Sequence, residues 1–271
     1  MRPRKLRIGT WNILGRRRHH DSRVADDGAV YETVAKAGTD ILCLQEVHFY
    51  DGEVDKQLRE ELEDAGMNHF VGSPLSPSHL DEKAQLGVGI AARFPLLEFA
   101  TRTLSNPGLR ANVRGQVWEL HDKGLIRARI QLTPNVAVNV YSLHLFPFFE
   151  FGVDDQTDYV DKMWRELWDV VDGADEPTIL AGDYNQTGRA DAAKEFSRGN
   201  WSFCTPDTST TSTGLSLDDV ALSWAPDTCE PRVIPTFSDH HLVLVEIDLS
   251  TPPRVRDRVM LSDIGGASHR P

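Results

Sequence analysis

Short apolar runs broken by polar, glycine- and proline-marked stretches dominate the chain, and most runs are too brief for helices. Leu6–Ile13 alternates and ends in a loop, which predicts a strand. Asp40–Gln45 (DILCLQ) is a compact apolar run of the buried-strand kind. Strands are also predicted over Gly87–Ala92, Gly115–Leu120, Leu125–Leu132 and Val136–Leu143, and later over Thr178–Ala181, Ser216–Ser223 and Leu242–Ile247. Helical patterns intervene. Ala29–Lys36 precedes a stop at Gly38, and Val54–Ala65, rich in Glu, Lys and Leu, ends at Gly66. Thr157–Val171 places Tyr159, Val160, Met163, Leu167 and Val170 at helical spacing, with Trp164 and Trp168 as core-packing residues, and a short helix is expected around Ala190–Ser197. This order predicts an α/β fold with mixed sheets and helices outside, not a strictly alternating parallel one.

At 271 residues and 40% hydrophobic content the chain can bury a large core without disulfides. Its three cysteines, Cys43, Cys204 and Cys229, are scattered and indicate neither a disulfide framework nor a zinc site, and Cys43 lies in an apolar run as a small buried hydrophobe. No internal repeat interrupts residues 1–250, which read as one catalytic domain, and the Pro/Arg-rich stretch 251–271 reads as a flexible tail. The basic start MRPRKLRIGTWNIL lacks a following apolar core and no run of about 18 apolar residues occurs, so the expectation is a cytoplasmic protein.

A net charge of −12 argues against nucleic-acid binding through bulk positive charge. One local basic patch, Arg16, Arg17, Arg18, His19 and His20, follows a candidate metal residue, and a phosphate-facing role is weighed equally with a solvated loop.

Polar residues recur where apolar strands end, a placement that projects a side chain from a rigid element into a cleft. They are Asn12 after RIGTW, Glu46 after DILCLQ, His144 after NVYSL, Asp183 and Asn185 after TILAG, Asp218 and Asp219 inside SLDDVALS, and Asp239 and His240 before HLVLVEI. Each alone is an ordinary turn, cap or core residue. Together they join carboxylates and carboxamides to histidines without a cysteine ligand. Oxygen donors of this kind suit Mg²⁺, with Mn²⁺ or Ca²⁺ as alternatives, and nearby histidines suit proton transfer or phosphate stabilisation. Phosphoester hydrolysis requires that combination.

The segments TWNI (Thr10–Ile13), LQEV (Leu44–Val47), SLHL (Ser142–Leu145), GDYN (Gly182–Asn185), LDDV (Leu217–Val220) and SDHH (Ser238–His241) resemble, in order, the motifs of the endonuclease/exonuclease/phosphatase superfamily. The resemblance runs from about Leu6 to Ile247 and includes GVGIAARFPL (Gly87–Leu96). It implies a four-layer α/β sandwich, two mixed β-sheets packed face to face with helices outside. It also implies roles. Glu46 would bind the catalytic metal, with Asn12 beside it and Asp239 on the metal side. Asp183 would orient or deprotonate the attacking water, aided by Asn185. His240 would contact the scissile phosphate, oriented by Asp218, and His144 would be a second phosphate contact or proton donor. Two positions depart from the pattern: Leu242 stands where proline is frequent, and Asp219 where an aromatic is usual.

Among the branches, the motifs resemble those of sphingomyelinases, inositol phosphatases and pancreatic-type deoxyribonucleases. The leading expectation is a monomeric, metal-dependent hydrolase of a phosphate ester on a small molecule or lipid headgroup. A DNA or RNA nuclease is the alternative, and a non-catalytic binding protein of the same fold is the remote one. The aromatic segment Leu145–Phe151 (LFPFFEF) is either a loop packed on the core or, less favoured, a wall of the pocket through Phe148 and Phe149.

Overall fold

The computed structural model describes residues 5–113, 115–154, 157–172 and 176–248. The tail expected over 251–271 lies outside the described residues. Two mixed sheets face each other. The first runs, edge to edge, Cys229–Ile234, Leu242–Asp248, Lys5–Asn12, Ile41–Tyr50, Gln85–Ala92 and His69–Pro77, with Glu53–Val54 hooked onto Ile41–Tyr50. The second runs Ser202–Phe203, Asp218–Leu222, Thr178–Asp183, Val136–His144, Gly124–Thr133 and Leu96–Thr103. A separate hairpin pairs Arg110–Val113 with Gln116–Glu119.

The strand Ile41–Tyr50 shows why the fold is layered. Ile41 and Cys43 point into the space between the sheets, against Ile126, Val140 and Ile179. Leu42 and Leu44 point the other way, onto Val30 and Val34 of the helix Ala29–Ala37 and onto Leu58 and Leu62 of the helix Lys56–Asp64. Both faces of the strand are covered, so its opening Ile41, Leu42, Cys43 and Leu44 are continuously apolar rather than alternating. The helices Asp158–Val171 and Arg189–Phe196 cover the outside of the second sheet, with Trp164 and Trp168 buried there as expected. The result is helices, sheet, sheet, helices: the four-layer sandwich that the motifs implied.

The strands that the apolar pattern did not reveal lie mostly at edges. His69–Pro77 carries Pro74 and Pro77, Cys229–Ile234 carries Pro231, and Leu96–Thr103 is largely exposed. An edge strand tolerates proline and needs only one apolar face, so its signal in sequence is weak. The helix expected from Val54 begins at Lys56, because Asp55 caps it by accepting from the Leu58 amide at 2.7 Å while Glu53 and Val54 pair as strand.

The cysteines require a correction. Cys204 and Cys229 form a disulfide with a Cα–Cα distance of 5.9 Å, and Cys43 is free and buried. Cys204 follows the edge strand of one sheet and Cys229 opens the edge strand of the other, so the bond staples the two sheets along one side. Scattered spacing hid the pair because it is made by tertiary packing. Closing a loop of 25 residues contributes roughly 3 kcal/mol in the chain-entropy description. Reduction is therefore expected to lower the unfolding free energy by about that amount, measured by denaturant melts with and without reductant. An unchanged midpoint, with three thiols titrating in the unfolded protein before any reductant is added, would show that the bond is absent.

Candidate active site

Strand direction assembles the site. Lys5–Asn12 runs parallel to Ile41–Tyr50, and Val136–His144 runs parallel to Thr178–Asp183. Parallel neighbours end on the same side. Asn12 thus lies in register with Gln45, His144 with Asp183, and Asp183 with Asp218 of the antiparallel strand beyond it. Gly182 is required by packing, since a Cβ there would lie 2.1 Å from the Leu143 carbonyl oxygen. These strand ends open on a cleft of about 670 Å³ lined by Asn12, Glu46, His144, Asp183, Asn185, Asp239 and His240. Every expected site residue except Asp218 lines it. Asp218 sits immediately behind, fully buried, and reaches the cleft through His240.

Glu46 is placed differently from the expectation of a strand end. The strand continues to Tyr50, and Glu46 is the extra residue of a bulge between Gln45 and Val47, with φ +52°. A bulge aims a side chain that regular pleating would send elsewhere, and the left-handed conformation is a local strain retained there. Burial alone would raise the Glu46 carboxyl. Lys123, His79, His240 and a hydrogen bond from Asn12 outweigh it and hold the group below its ordinary value. Its Oε2 is buried without a hydrogen-bond partner.

Asp183 is gripped by neighbours from both sheets. Asn12 Nδ2 donates to its Oδ2 at 3.2 Å, and the Asn185 amide donates to its Oδ1 at 3.0 Å. Asn185 has φ +51°, and its Nδ2 is committed to the Leu145 carbonyl at 3.0 Å. Burial, with some help from Asp218, raises the Asp183 carboxyl to about 7 against the pull of His240. His240 Nδ1–H donates to Asp218 Oδ2 at 2.9 Å, and its Nε2 lies 3.7 Å from Asp183 Oδ2. Burial opposes the charged imidazole, but the carboxylates of Asp218 and Asp183 prevail and raise His240 well above its ordinary value. Asp218 Oδ2 is further fixed by Thr210 Oγ1 at 2.7 Å.

His144 behaves oppositely. Burial first, then the charges of Lys123, His240 and His79, push it well below its ordinary value. Its Nε2 accepts from Lys123 Nζ at 2.9 Å. Lys123 was not among the sequence candidates because it precedes its strand, Gly124–Thr133, whereas the candidates were sought where strands end. The signal that could have found it is a lone lysine immediately before an apolar strand in a strongly acidic chain.

Asp183, Asp218 and His240 each present one donor atom within 4.8 Å of the others, a grouping that could hold a metal ion. The hydrogen bonds argue against that use. His240 Nδ1 is committed to Asp218 and Asp218 Oδ2 already accepts from both His240 and Thr210, although Asp218 Oδ1, like Glu46 Oε2, is buried without a hydrogen-bond partner. The unpartnered Oε2 of an ionised Glu46, with Asn12 and Asp239 on the same cleft, fits a hard divalent cation better.

Asp219, which stands where an aromatic is usual, is buried against Arg189, whose Nε donates to its Oδ2 at 2.7 Å. Arg189 Nη1 also donates to the Gln186 and Ser216 carbonyls, so an ion pair fastens the loop carrying Asn185. The basic patch near the site is corrected in part. Arg16 is 5% exposed and pairs with Glu61 at 2.7 Å and Asp55 at 3.2 Å, and Arg18 pairs with Asp26. These arginines neutralise the protein's own carboxylates. Within Leu145–Phe151, Phe148 is core and Phe149 is exposed, and it is Pro147, Glu150 and Phe151 that line the cleft.

A model of the Endonuclease/Exonuclease/phosphatase family matches residues 9–240. No curated protein matches the sequence. Among solved structures, an endonuclease/exonuclease/phosphatase from Beutenbergia cavernae DSM 12333 has a TM-score of 0.72 at 19% identity, over 91% of this chain and 72% of that one. The human Nocturnin catalytic domain with bound sulfate anion has a TM-score of 0.59 at 18% identity, over 91% and 94%. ANGEL2, a 2′,3′-cyclic phosphatase, has a TM-score of 0.61 at 14% identity, over 90% and 95%. At these identities the likeness is one of fold.

Because the folded pKa of His240 is raised, its contribution to stability is fully present below about pH 6.5 and fades as pH rises through the folded value. Asp218→Asn is expected to bring the His240 titration down towards the ordinary range, read from its imidazole NMR shifts, and to move the fading of that contribution to lower pH. An unchanged titration would mean that Asp183 alone supplies the charge.

Proposed function

This chain belongs to the endonuclease/exonuclease/phosphatase family, and we propose that it is a divalent-metal-dependent phosphoesterase hydrolysing a phosphate ester on a small molecule or lipid headgroup by in-line attack of water. One observation carries the reading: a single cleft joins an ionised carboxylate with an unpartnered oxygen, a buried carboxylate of raised pKa and a protonated histidine. Glu46, Asn12 and Asp239 would hold the metal, Mg²⁺ by donor type. Bound there, the cation supplies neutralising charge to the phosphate oxygens.

The chain's own groups supply the rest. Asp183 orients a water and accepts its proton, and a carboxyl poised near neutral pH is well matched to that task. Asn12 and Asn185 fix both carboxylate oxygens, so the base cannot rotate away. His240, charged and aimed by Asp218, stabilises the negative charge that grows on the phosphoryl oxygens. His144 is neutral and accepts from Lys123, which favours positioning a cation at the phosphate over donating a proton.

The nuclease alternative loses its main support, since Arg16 and Arg18 face carboxylates of the chain itself. Hydrolysis of a panel of monoesters, diesters, nucleotides, phospholipids and plasmid DNA, with Mg²⁺ or EDTA, tests the proposal. Cleavage abolished by EDTA is expected, with small esters or headgroups preferred. A preference for DNA that falls steeply with salt would reverse the choice of substrate. Asp183→Asn and His240→Ala should each lower kcat by about a thousandfold or more with the melting profile retained, and near-normal rates in either would overturn the assignment.

A further inference from the structure

One wall of the cleft carries chemistry that the reaction above does not use. His79, on the loop 78–84, and His121 and Lys123, on the segment between the hairpin and Gly124–Thr133, all line it. The two imidazoles meet edge to face with ring centroids 5.6 Å apart. His121 Nδ1–H donates to the Pro77 carbonyl at 3.1 Å, which ties the two segments together and leaves Nε2 free. In a chain of net charge −12, three basic side chains thus crowd together on one wall. Burial first, then the charges of His79 and Lys123, push His121 below its ordinary value. Lys123 is itself pushed down by burial, with Glu46, Asp183 and Glu150 pulling the other way.

Basic groups that repel one another are held together at a cost, and an anion placed among them removes it. Glu150 is the cleft acid that faces Lys123, and the other acids nearby are engaged elsewhere. Asp122 accepts from Asn106, Glu119 pairs with Arg110, and Glu46 is the carboxylate best fitted to the metal. Lys123 touches His144 and so marks the border with the reacting phosphate, while His79 and His121 line the same cleft and meet each other edge to face.

We propose that His79 and His121, with Lys123 at the boundary, form a second anion subsite, so that the preferred substrate carries a further phosphate or carboxylate besides the phosphate that is cleaved. This deepens the proposed function and rests on it for the position of the scissile group. The subsite takes an anionic group through the Lys123 ammonium and the His79 imidazole, and through His121 Nε2 when the bound anion brings a proton onto that ring, since its Nδ1–H is committed to Pro77. The hairpin Arg110–Glu119, whose Trp118 also lines the cleft, stands next to it as the outer wall.

Binding of non-hydrolysable ligands tests the subsite separately from turnover. Titration calorimetry with Mg²⁺ in excess over ligand would compare methylphosphonate, methylenediphosphonate, 1,3-propylenediphosphonate and 3-carboxypropylphosphonate. At least one of the doubly anionic ligands is expected to bind about tenfold tighter than methylphosphonate. A carboxylate ligand as favourable as the diphosphonates would name a carboxylate as sufficient, and a diphosphonate preference would name phosphate. His79→Ala, at an exposed loop position, and the double variant His79→Ala/His121→Gln should bring that advantage to within about threefold, with methylphosphonate affinity changing by less than the doubly charged ligands' affinity does. Equal binding of singly and doubly charged ligands by the unaltered protein, or an advantage that survives in both variants, would overturn the subsite. If the advantage is present and lost as expected but no ester is cleaved, the subsite stands and the hydrolase reading falls.

Discussion

A buried polar seam between the two sheets fixes everything at the working end of this molecule. Ser142 Oγ, from the second sheet, donates to the Leu44 carbonyl of the first at 3.0 Å, and Gln45 Nε2 donates back to Ser142 Oγ at 3.1 Å. Asn12 Nδ2 crosses the same boundary to Asp183 at 3.2 Å. Apolar packing between sheets is permissive about sliding, whereas buried hydrogen bonds are costly to leave unmade and so set one register between them. The residues that bridge the seam, or stand beside it in sequence, are also the ones that face the cleft. The relative position of Glu46 and Asp183, one from each sheet, follows from that single constraint.

The charges in the cleft form a graded series set by their surroundings. Glu46 is ionised because cations surround it, Asp183 is held near neutral pKa by burial, His240 is charged because two carboxylates enclose it, and His144 is neutral because burial and cations oppose its charge. Two carboxylates and two histidines of the same types thus take four different states. This separation is what acid, base and electrostatic roles require of chemically similar groups. The supporting shell is equally specific. Thr210 fixes Asp218, and Asp219 with Arg189 fastens the loop that presents Asn185.

The disulfide and the arginine-rich turn show the same economy at the periphery. Cys204–Cys229 closes one side of the sandwich, and Arg16 ties the loop after Asn12 to Glu61, which also accepts from the Val30 amide at the start of the helix Ala29–Ala37. A buried cation between two segments holds geometry, and it is unavailable to a ligand for the same reason.

The pattern of the sequence determined the α/β class with mixed sheets and outer helices, and the family resemblance of its motifs supplied the four layers and the chemical inventory. Doubly buried runs such as DILCLQ can only be central strands, the spacing through Trp164 and Trp168 can only face a helix inward, and the ordered motifs named the side chains Asn12, Glu46, His144, Asp183, Asn185, Asp218, Asp239 and His240. Local pattern carries that information because burial on one or two faces is written residue by residue. The edge strands His69–Pro77 and Cys229–Ile234 were not legible, since one open side tolerates proline and polar residues. Only the tertiary structure decided that Glu46 is turned by a bulge, that Asp219 answers Arg189, that Arg16 is buried, that Cys204 meets Cys229, and that Lys123 reaches His144. Each is a pairing between residues far apart in the chain, and such pairings depend on register and sheet packing, which no local window of sequence contains.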